Sequence, residues 1–424
     1  MAVPELWYRL GSAQEQGILQ TMRPQHQGIV VPAHVFAYGR TWVSSFLGKI
    51  KKPFVIDPMT YVLALSREQI TGDSGLKKSW DTLLGLYHED VLKPLRRRPI
   101  RAADMLGPRD LPSELMKAFV RRTVELQTTI LVRGSRSQQS LEKYRKILGE
   151  ESSEVGLRPR AILSPYFHFD DMNDPWWKVN VQLVKDAKNL ATGIPLYAVI
   201  LTSVESLGGM DWDIALSSIG PVDGYVLWIS NYSELKADID ELTAVLRTVR
   251  RLSSDAPVFI LYGGYFSLSL AAVGLTGLIS GICYGESKPI TSKTTGGGMP
   301  QRYYVVENKM KYVMAEVRSL YSDAPGRLCG CRVCLEIRRE SGPDRSRPSV
   351  KSVAKFFDQV DDASSKRHFL EVRSGEARTV ARMKPREIVA ALARLRKEAG
   401  DARLPAHGMT IGHLERWAAA LEEA

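Results

Sequence analysis

Residues 224–262 decide the fold: Gly224-Tyr-Val-Leu-Trp-Ile229, then a helical segment from Ser233 to Leu252, then Val258-Phe-Ile-Leu-Tyr262. The two apolar runs have the length and composition of buried strands. The segment between them carries acidic residues near its start and basic residues at its end, the distribution that stabilises a helix dipole. Two buried strands joined by a helix form a parallel βα unit, so the stretch predicts an α/β protein.

The same alternation continues on both sides of this unit. Strands are predicted at 160–167, 194–201 and 278–284, a helix at 175–191, and earlier apolar runs at 28–36 and 53–58. Residues 1–28 are polar and mixed, and we interpret them as an N-terminal cover. Seven or eight strands favour a TIM-type (β/α)8 barrel over an open sheet. We predict the barrel over residues 1–290, with a helical insertion around 67–151.

The length and composition of the chain agree with a barrel and an additional subdomain. The chain has 424 residues, 44% of them hydrophobic and 25% charged, as in an ordinary globular protein. Residues 258–285 contain no charged side chain, but six glycines divide them into short elements, so we predict no membrane span. The N-terminus lacks a basic-then-apolar signal pattern, which predicts a cytoplasmic protein with reduced thiols.

Three of the four cysteines lie within the six residues Cys329-Gly-Cys331-Arg-Val-Cys334. Zn²⁺ prefers a tetrahedron of thiolate and imidazole ligands in closed structural sites, and the glycine permits the tight turn that such spacing needs. Three unrelated thiols on a loop are the alternative. The predicted ligands are Cys329, Cys331, Cys334 and His368, with His407 and His413 as rivals for the fourth place. We assign residues 291–378 to this zinc-binding helical subdomain, with a helix predicted from Val305 to Tyr321 that leads into the cysteines. Residues 379–424 are assigned to a helical tail.

Basic residues are clustered rather than dispersed. The net charge is +11, and residues 327–403 contain 19 Lys or Arg against 11 Asp or Glu. A second basic group lies at residues 93–101. Such clustering favours a polyanionic partner, namely nucleic acid, whereas solvated surface charge is the alternative. The predicted nucleic-acid contacts are Arg96, Arg97, Arg98, Arg332, Arg338 and Arg339.

Chemistry in a barrel is expected where the strands end, at the C-terminal face. Polar candidates at these ends are Asp57, His168, Asp170, Asp171, Thr202, Glu205, Ser230, Asn231, Tyr262 and Glu286. Each single acid can equally be a helix cap or a loop ion. Asp57 differs because it follows three apolar strand residues and precedes Pro58. Asp170 and Asp171 are adjacent acids that can cap the next helix.

A parallel barrel followed by Cys-x-Cys-x-x-Cys and a later histidine resembles the tRNA-guanine transglycosylase superfamily, which includes archaeosine enzymes and DNA 7-deazaguanine transglycosylases. Residues 55–65 look like the family's Asp-Ser-Gly-Gly-Phe-Gln segment, and Phe169-Asp170-Asp171 is similar to its Phe-Asp-Glu segment. Residues 303–334 resemble its approach to the zinc site, and His368-Phe-Leu the helix that supplies the fourth ligand. The resemblance covers residues 28–378.

This resemblance implies exchange of guanine for a 7-deazaguanine base in tRNA or DNA through a covalent glycosyl-enzyme intermediate. That chemistry needs a carboxylate nucleophile and a second carboxylic acid. The resemblance implies Asp57 as general acid/base, with Asp170, Asp171 and Tyr262 binding the purine or 7-deazapurine. The family's strand-eight aspartate is absent, which leaves Glu286 as the candidate nucleophile. The family's double glycine on strand six is replaced by Tyr225-Val-Leu-Trp228.

Two other functions are consistent with the sequence. The missing strand-eight aspartate favours a catalytically degenerate nucleic-acid-binding relative, such as a partner subunit of an active transglycosylase. Such a protein would act as a heteromer with another transglycosylase subunit or as a homodimer. An unrelated zinc-bearing barrel hydrolase is the third hypothesis, although no pair of histidines supports a catalytic metal.

Overall fold

The computed structural model describes most of the chain. The described residues are 2–66, 69, 78–87, 105–128, 140, 143–144, 147–148, 157–190, 193–282, 285–291, 300–323, 327–340, 350–400 and 411–423. Several predictions lie outside these residues. They concern Arg96, Arg97, Arg98, His407 and parts of the helical insertion around 67–151.

Eight parallel strands of the described chain form one sheet in the order β3-β2-β1-β8-β7-β6-β5-β4. The strands are β1 (Glu5–Arg9), β2 (Gly28–Pro32), β3 (Phe54–Asp57), β4 (Ile162–Leu163), β5 (Leu196–Ser203), β6 (Gly224–Ser230), β7 (Val258–Leu261) and β8 (Gly277–Gly281). The two edges meet where the amide of Arg160 donates to the carbonyl of Phe54 at 2.8 Å. The predicted TIM-type (β/α)8 barrel is therefore confirmed.

Helices surround the barrel and continue into the C-terminal part of the chain. Those in the barrel region are α1 (Glu15–Thr21), α2 (Ala33–Ile50), α3 (Lys78–Tyr87), α4 (Ser113–Thr128), α5 (Pro175–Leu190), α6 (Val204–Gly209), α7 (Trp212–Ile219), α8 (Ile239–Ser253) and α9 (Tyr265–Ser269). After the hairpin of β9 (Arg302–Val305) and β10 (Met310–Val313) come α10 (Met314–Asp323), α11 (Arg332–Glu340), α12 (Val350–Gln359), α13 (Asp362–Val380), α14 (Pro385–Gly400) and α15 (Gly412–Glu422).

Aromatic rings fill the lower interior of the barrel. Trp7 of β1 contacts Phe259 of β7 edge to face at 6.1 Å between centroids. Each ring lies against a glycine of the neighbouring strand, because a Cβ at Gly28 would stand 2.4 Å from Trp7 and one at Gly277 would stand 2.5 Å from Phe259. Large side chains thus alternate with glycine, and this interior is a packed core rather than a channel.

The expectation of an N-terminal cover over residues 1–28 was wrong. Glu5–Arg9 form β1, which pairs with β2 on one side and β8 on the other. The strand is short and has a charged residue at each end, so it lacks the apolar run that reveals the other strands. Its alternation places Trp7 and Arg9 on the interior side and Tyr8 on the outer side.

Two further predicted elements differ from the structure. A helix was expected from Val305 to Tyr321, but β9 and β10 form an antiparallel hairpin and the helix begins at Met314. Lys309 takes a left-handed conformation (φ 58°) at the hairpin turn, which a continuous helix excludes. The helix before β7 was expected to begin at Ser233. It begins at Ile239 instead, because Asp238 accepts from the amide of Glu241 in a capping box.

The C-terminal helices pack back onto the barrel. Phe369 of α13 contacts Tyr8, the outward residue of β1, at 6.3 Å between ring centroids. Trp417 of α15 donates from Nε1 to the carbonyl of Glu234 at 2.8 Å. The boundary between a subdomain at 291–378 and a tail at 379–424 stays a prediction. No helix among the described residues combines the length and the apolar character that crossing a membrane requires.

Candidate functional site

Cys329, Cys331, Cys334 and His368 form one cluster, in which the four candidate ligand atoms lie within 4.8 Å of one another. The Nδ1 atom of His368 is 3.3 Å from the sulfur of Cys331 and 3.3 Å from that of Cys334. The amides of Cys331 and Cys334 donate to the sulfurs of Cys329 and Cys331 at 3.4 and 3.5 Å. The cluster can hold a metal ion, as the sequence predicted.

Neighbouring residues hold the cysteines and the histidine of the cluster in position. The Nε2 atom of His368 lies 2.8 Å from the carbonyl oxygen of Tyr304, and the tautomer that donates there leaves Nδ1 free as a ligand. The ring of Tyr303 stacks on His368 at 4.1 Å, and its hydroxyl lies 3.0 Å from the sulfur of Cys334. Arg338 donates to the carbonyl of Cys329 at 2.8 Å, which attaches α11 to the turn.

The chemistry of the donor set suits a thiophilic metal ion. Hydrogen bonds with Cys329 and Cys334 lower the pKa of the Cys331 thiol far below its ordinary value, which favours the thiolate form that binds metals. The rival ligand His413 lies elsewhere, with Nε2 at 2.9 Å from the carbonyl of Asn308. Of the two rivals, His407 lies outside the described residues. The four predicted ligands are the ones that the fold brings together.

Asp57 ends β3 at the C-terminal mouth of the barrel and is 1% exposed. Its carboxylate accepts from Arg9 Nη2 at 3.0 Å, from the Tyr166 hydroxyl at 2.6 Å and from the amide of Met59 at 3.1 Å. Arg9 lies at the end of β1. The carboxylate of Asp57 therefore has one ionic partner and two further hydrogen-bond donors. The predicted position of Asp57 at the mouth agrees with the structure.

Four aromatic side chains pack together at the mouth. Trp228 of β6 contacts Tyr61 at 4.7 Å and Tyr262 at 5.1 Å between ring centroids, and Tyr61 stacks on Tyr166 at 5.8 Å. None of the four is more than 6% exposed. We call Tyr61, Tyr166, Trp228 and Tyr262 the mouth cluster. Trp228 is the last residue of the segment Tyr225-Val-Leu-Trp228, which stands in place of the double glycine expected from the resemblance.

Lys288 projects into the mouth cluster from the segment after β8. Its Nζ lies 3.0 Å from the hydroxyl of Tyr61 and 3.4 Å from that of Tyr262. Sequence reasoning missed both this lysine and Arg9. A signal existed for Lys288, because it follows the uncharged residues 258–285 closely, at the end of a predicted strand.

Glu286 belongs to a different ion cluster from Asp57. Its carboxylate accepts from Arg373 Nη2 at 2.6 Å and lies 3.9 Å from Lys311. Arg373, which is 1% exposed in its side chain, also lies 3.4 Å from Glu376. Among the described contacts, Asp57 and Glu286 share no partner. In the described contacts the two predicted catalytic acids therefore belong to separate sets of hydrogen bonds and ion pairs.

A cavity of about 270 Å³ lies on the Glu286 side, between the barrel and the β9–β10 hairpin. Its walls include Glu286, Lys309, Lys311 and Trp417. Glu234, another lining residue, is buried and accepts from the amides of Gly264, Phe266 and Ser267 at 2.7, 2.9 and 3.0 Å. This carboxylate holds the loop after β7, which is a structural role.

The acids predicted to bind a base are in a surface turn. Asp171 accepts from the amides of Asn173 and Asp174 at 2.6 and 2.9 Å, and Asp174 rather than Asp171 caps α5 through the amide of Trp176. The side chain of Asp170 is 81% exposed and lies 3.7 Å from His168. These two acids contact neither Asp57 nor the mouth cluster in the described hydrogen bonds.

The predicted nucleic-acid contacts of α11 lie beside the cysteine cluster. The side chain of Arg332 is 60% exposed and Arg339 is exposed, whereas Arg338 is half-buried against Cys329. Arg332 lies 3.7 Å from Glu371 and 3.8 Å from Glu336, so part of its charge is balanced. Two of the three arginines are therefore available to a polyanion.

Comparison with known proteins finds a distant structural likeness and no match in sequence. No family model matches the sequence, and no curated protein matches it. A solved structure of a type I 3-dehydroquinate dehydratase from Clostridium difficile, with covalently modified comenic acid, is similar at 8% identity. The likeness covers 69% of this chain and 89% of that chain, with a TM-score of 0.34. So distant a likeness carries no argument about function.

Proposed function

We propose that the protein is a nucleic-acid-binding relative of the transglycosylases that has lost carboxylate-mediated base exchange, and that it acts as a partner subunit or an independent binder of tRNA or DNA. The supporting observation is the pairing of Glu286 with Arg373 at 2.6 Å, whereas Asp57 pairs with a different arginine, Arg9. A nucleophile in base exchange must be free to attack the sugar beside the acid that moves the proton.

The mouth cluster supports the same proposal. A base that is removed from a nucleic-acid stack needs a flat pocket. Trp228 and Tyr61 pack edge to face at 4.7 Å in the interior of the mouth, and both are buried. This contact leaves no space for a purine between the two rings.

Zn²⁺ is the metal that we propose for the cysteine cluster. Three thiolates and one imidazole are a common set for a closed structural zinc site, which leaves no position open for a substrate. Such a metal contributes folding free energy, because unligated thiolates would repel one another. The site would then fasten α11 to α13 and keep the exposed arginines of α11 in place. We place this function in the cytoplasm, where thiols remain reduced.

Nucleic-acid binding would depend on the basic surface of α11 and α12. Arg332, Arg339, Lys351 and Lys355 are exposed on these helices. Phosphate contacts from such side chains supply sequence-independent affinity and make it strongly dependent on salt. The half-buried Arg338 would position the helix instead.

Base exchange is the second candidate, and the position of Asp57 favours it. This carboxylate is buried at the barrel mouth and held by three donors, as a general acid/base needs to be oriented. In that case Glu286 would have to leave Arg373 to become the nucleophile. Asp170, Asp171 and Tyr262 would contact the incoming base.

The proposal is tested by titrating labelled tRNA and duplex DNA at several salt concentrations. We expect a double charge reversal, Arg332→Glu with Arg339→Glu, to weaken binding at least about tenfold and to reduce the salt slope by about two. Lys117→Glu, at an exposed lysine of α4, is the matched control and should change neither quantity. Equal affinity for the double variant and the control would refute the proposal.

Base exchange has a separate readout. Incubation with labelled guanine should leave tRNA and DNA unlabelled if exchange is lost. Label that enters either nucleic acid, and that disappears in Asp57→Asn and Glu286→Gln, would establish the second candidate instead.

A further inference from the structure

Lys288 lies in surroundings unlike those of an ordinary surface lysine. Its Nζ is 5.3–5.6 Å from the ring centroids of Tyr61, Trp228 and Tyr262. The two nearest polar atoms are phenol oxygens at 3.0 and 3.4 Å. No carboxylate lies within ion-pair distance of it in the part of the chain that the structure describes. The described neighbours of the amine are therefore aromatic rings and neutral hydroxyls.

The surrounding charges favour the neutral amine. Burial, together with the positive charge of Arg9, lowers the pKa of Lys288 to about 7, although Asp57 acts in the opposite direction. The phenols cannot supply a compensating anion, because burial raises the pKa values of Tyr61, Tyr166 and Tyr262 above the ordinary value. The three rings lie within the range of about 6 Å for cation–π attraction, which favours the charged amine and opposes the effect of burial. A substantial fraction of Lys288 is then neutral at physiological pH.

Lys288 also lies at the face of the barrel where TIM-barrel enzymes have their active sites. It follows β8 at the C-terminal face and contacts the ring of Tyr262, which Arg9 of β1 also contacts, each at 5.4 Å from the ring centroid. The residue is half-buried rather than fully enclosed. Arg9 Nε is buried and has no hydrogen-bond partner among the described residues, so one donor at the mouth is left for a ligand.

We propose that Lys288 is a nucleophile that forms a Schiff base with an aldehyde bound at the barrel mouth. The neutral amine attacks the carbonyl carbon, and a C–N bond forms while the carbonyl electrons pass to oxygen. The proton that nitrogen loses moves to that oxygen, and the hydroxyl of Tyr61 is placed to relay it. A second proton from solvent then allows the oxygen to leave as water, which gives a protonated imine that hydrolysis reverses.

The unpartnered Arg9 Nε favours an aldehyde with an anionic group close to its carbonyl. Two sources share this chemistry. One is a small free aldehyde acid, and the other is the ring-opened sugar of an abasic site, whose phosphates supply the negative charge. The second source would link Lys288 to the proposed nucleic-acid binding, whereas the first would not depend on it.

The test is reductive trapping of the full-length protein with cyanoborohydride. One arm uses glyoxylate as the probe, and the other uses an oligonucleotide with a single abasic site. We expect one adduct per chain, which peptide mapping locates at Lys288. The trapping rate should rise with pH around a midpoint of about 7. At pH 7 it should exceed the rate at the exposed Lys117 by on the order of tenfold or more, since an ordinary lysine is almost entirely protonated there.

Matched variants complete the design. Lys288→Arg keeps the positive charge but cannot form an imine, so it should abolish the adduct, whereas Lys117→Arg should leave it unchanged. Mapping of the unsubstituted protein needs no variant and stays informative if Lys288→Arg fails to fold.

Trapping of glyoxylate alone would identify a small aldehyde acid as the ligand, and trapping of the oligonucleotide would identify the abasic sugar. Labelling of Lys288 no faster than of Lys117 with either probe would overturn the proposal. Because nucleic-acid binding is measured separately on Arg332 and Arg339, failure of one proposal leaves the other intact.

Discussion

The guanidinium of Arg9 donates to the carboxylate of Asp57 across 3.0 Å, which ties the end of β1 to the end of β3 across the intervening β2. The side chains are 12% and 1% exposed, so little water screens the pair. Removal of one partner from such a pair leaves an uncompensated buried charge. Substitution of one partner alone should therefore destabilise the protein more than substitution of both partners.

Arg9→Met should lower the free energy of unfolding by about 3–5 kcal/mol. Asp57 would keep only the donors from Tyr166 and the amide of Met59. The double variant with Asp57→Asn should recover part of this loss, because no charge is then left unpaired. Urea unfolding of the two single variants and the double variant measures the coupling. Strictly additive losses would show that the pair is not coupled.

Loss of a metal ligand should strip the metal and destabilise the C-terminal part of the chain. We expect Cys331→Ser to purify without stoichiometric zinc and to melt at a lower temperature than the unsubstituted protein. Tyr303→Phe removes only the hydroxyl that lies 3.0 Å from the Cys334 sulfur. It should retain the metal but weaken its affinity by about 10–100-fold. Elemental analysis and competition with a chelator measure both effects, and metal-free unsubstituted protein would contradict them.

Trp228→Ala should be strongly destabilising because the indole is fully buried in the mouth cluster. Truncation of a buried tryptophan costs about 3–5 kcal/mol through lost burial and the cavity that remains. The variant also loses the hydrogen bond from Nε1 to the carbonyl of Lys288, which is 3.2 Å long. Ile214→Ala, at a side chain 55% exposed on α7, is the control and should change stability by less than about 0.5 kcal/mol. Similar losses in the two variants would mean that the mouth is not packed as described.

Acidification should destabilise the protein through His26. This residue is fully buried, and burial, together with the cations Lys52 and Arg23, lowers the pKa of its imidazole to about 4. Between pH 6.5 and about 4 the unfolded chain binds a proton that the folded chain does not, so stability falls as the pH drops through this window. The contribution is roughly 3 kcal/mol.

The matched variant for this effect is His26→Gln, which keeps a donor near the carbonyl of Leu19 but does not titrate. Its melting temperature should fall less than that of the unsubstituted protein between pH 7.5 and pH 4.5. His413, whose pKa burial also lowers to about 4, would sustain part of the acid sensitivity. Identical pH profiles for the variant and the parent would exclude His26 as a contributor.

Local patterns were enough to predict the barrel and the cluster of three cysteines and one histidine. The strands of the second half are apolar runs of four to eight residues, and their burial on both faces leaves a signal that needs no knowledge of partners. The cysteines are close in sequence, and a ligand set is a chemical property of the residues themselves. Only the histidine had to be chosen among rivals, and its shorter separation from the cysteines along the chain decided the choice.

Long-range pairing explains what the sequence could not predict. Glu286 looked like a free acid at the end of a strand, but its partner Arg373 lies 87 positions further along the chain. The strand Glu5–Arg9 looked polar because its charges are satisfied by distant residues, with Glu5 paired to Arg160 and Arg9 to Asp57. Charged side chains carry no pattern that names their partners, so their roles appear only in the folded state.

Helix α13 connects the cysteine cluster to the barrel. The same helix supplies His368, packs Phe369 against Tyr8 of the barrel wall, and pairs Arg373 with Glu286 beyond β8. We therefore expect metal depletion in a cell to destabilise the whole protein, since one side of the barrel would lose the helix that covers it. A truncated chain ending near residue 290 should be insoluble for the same reason, so the two parts are not interchangeable modules.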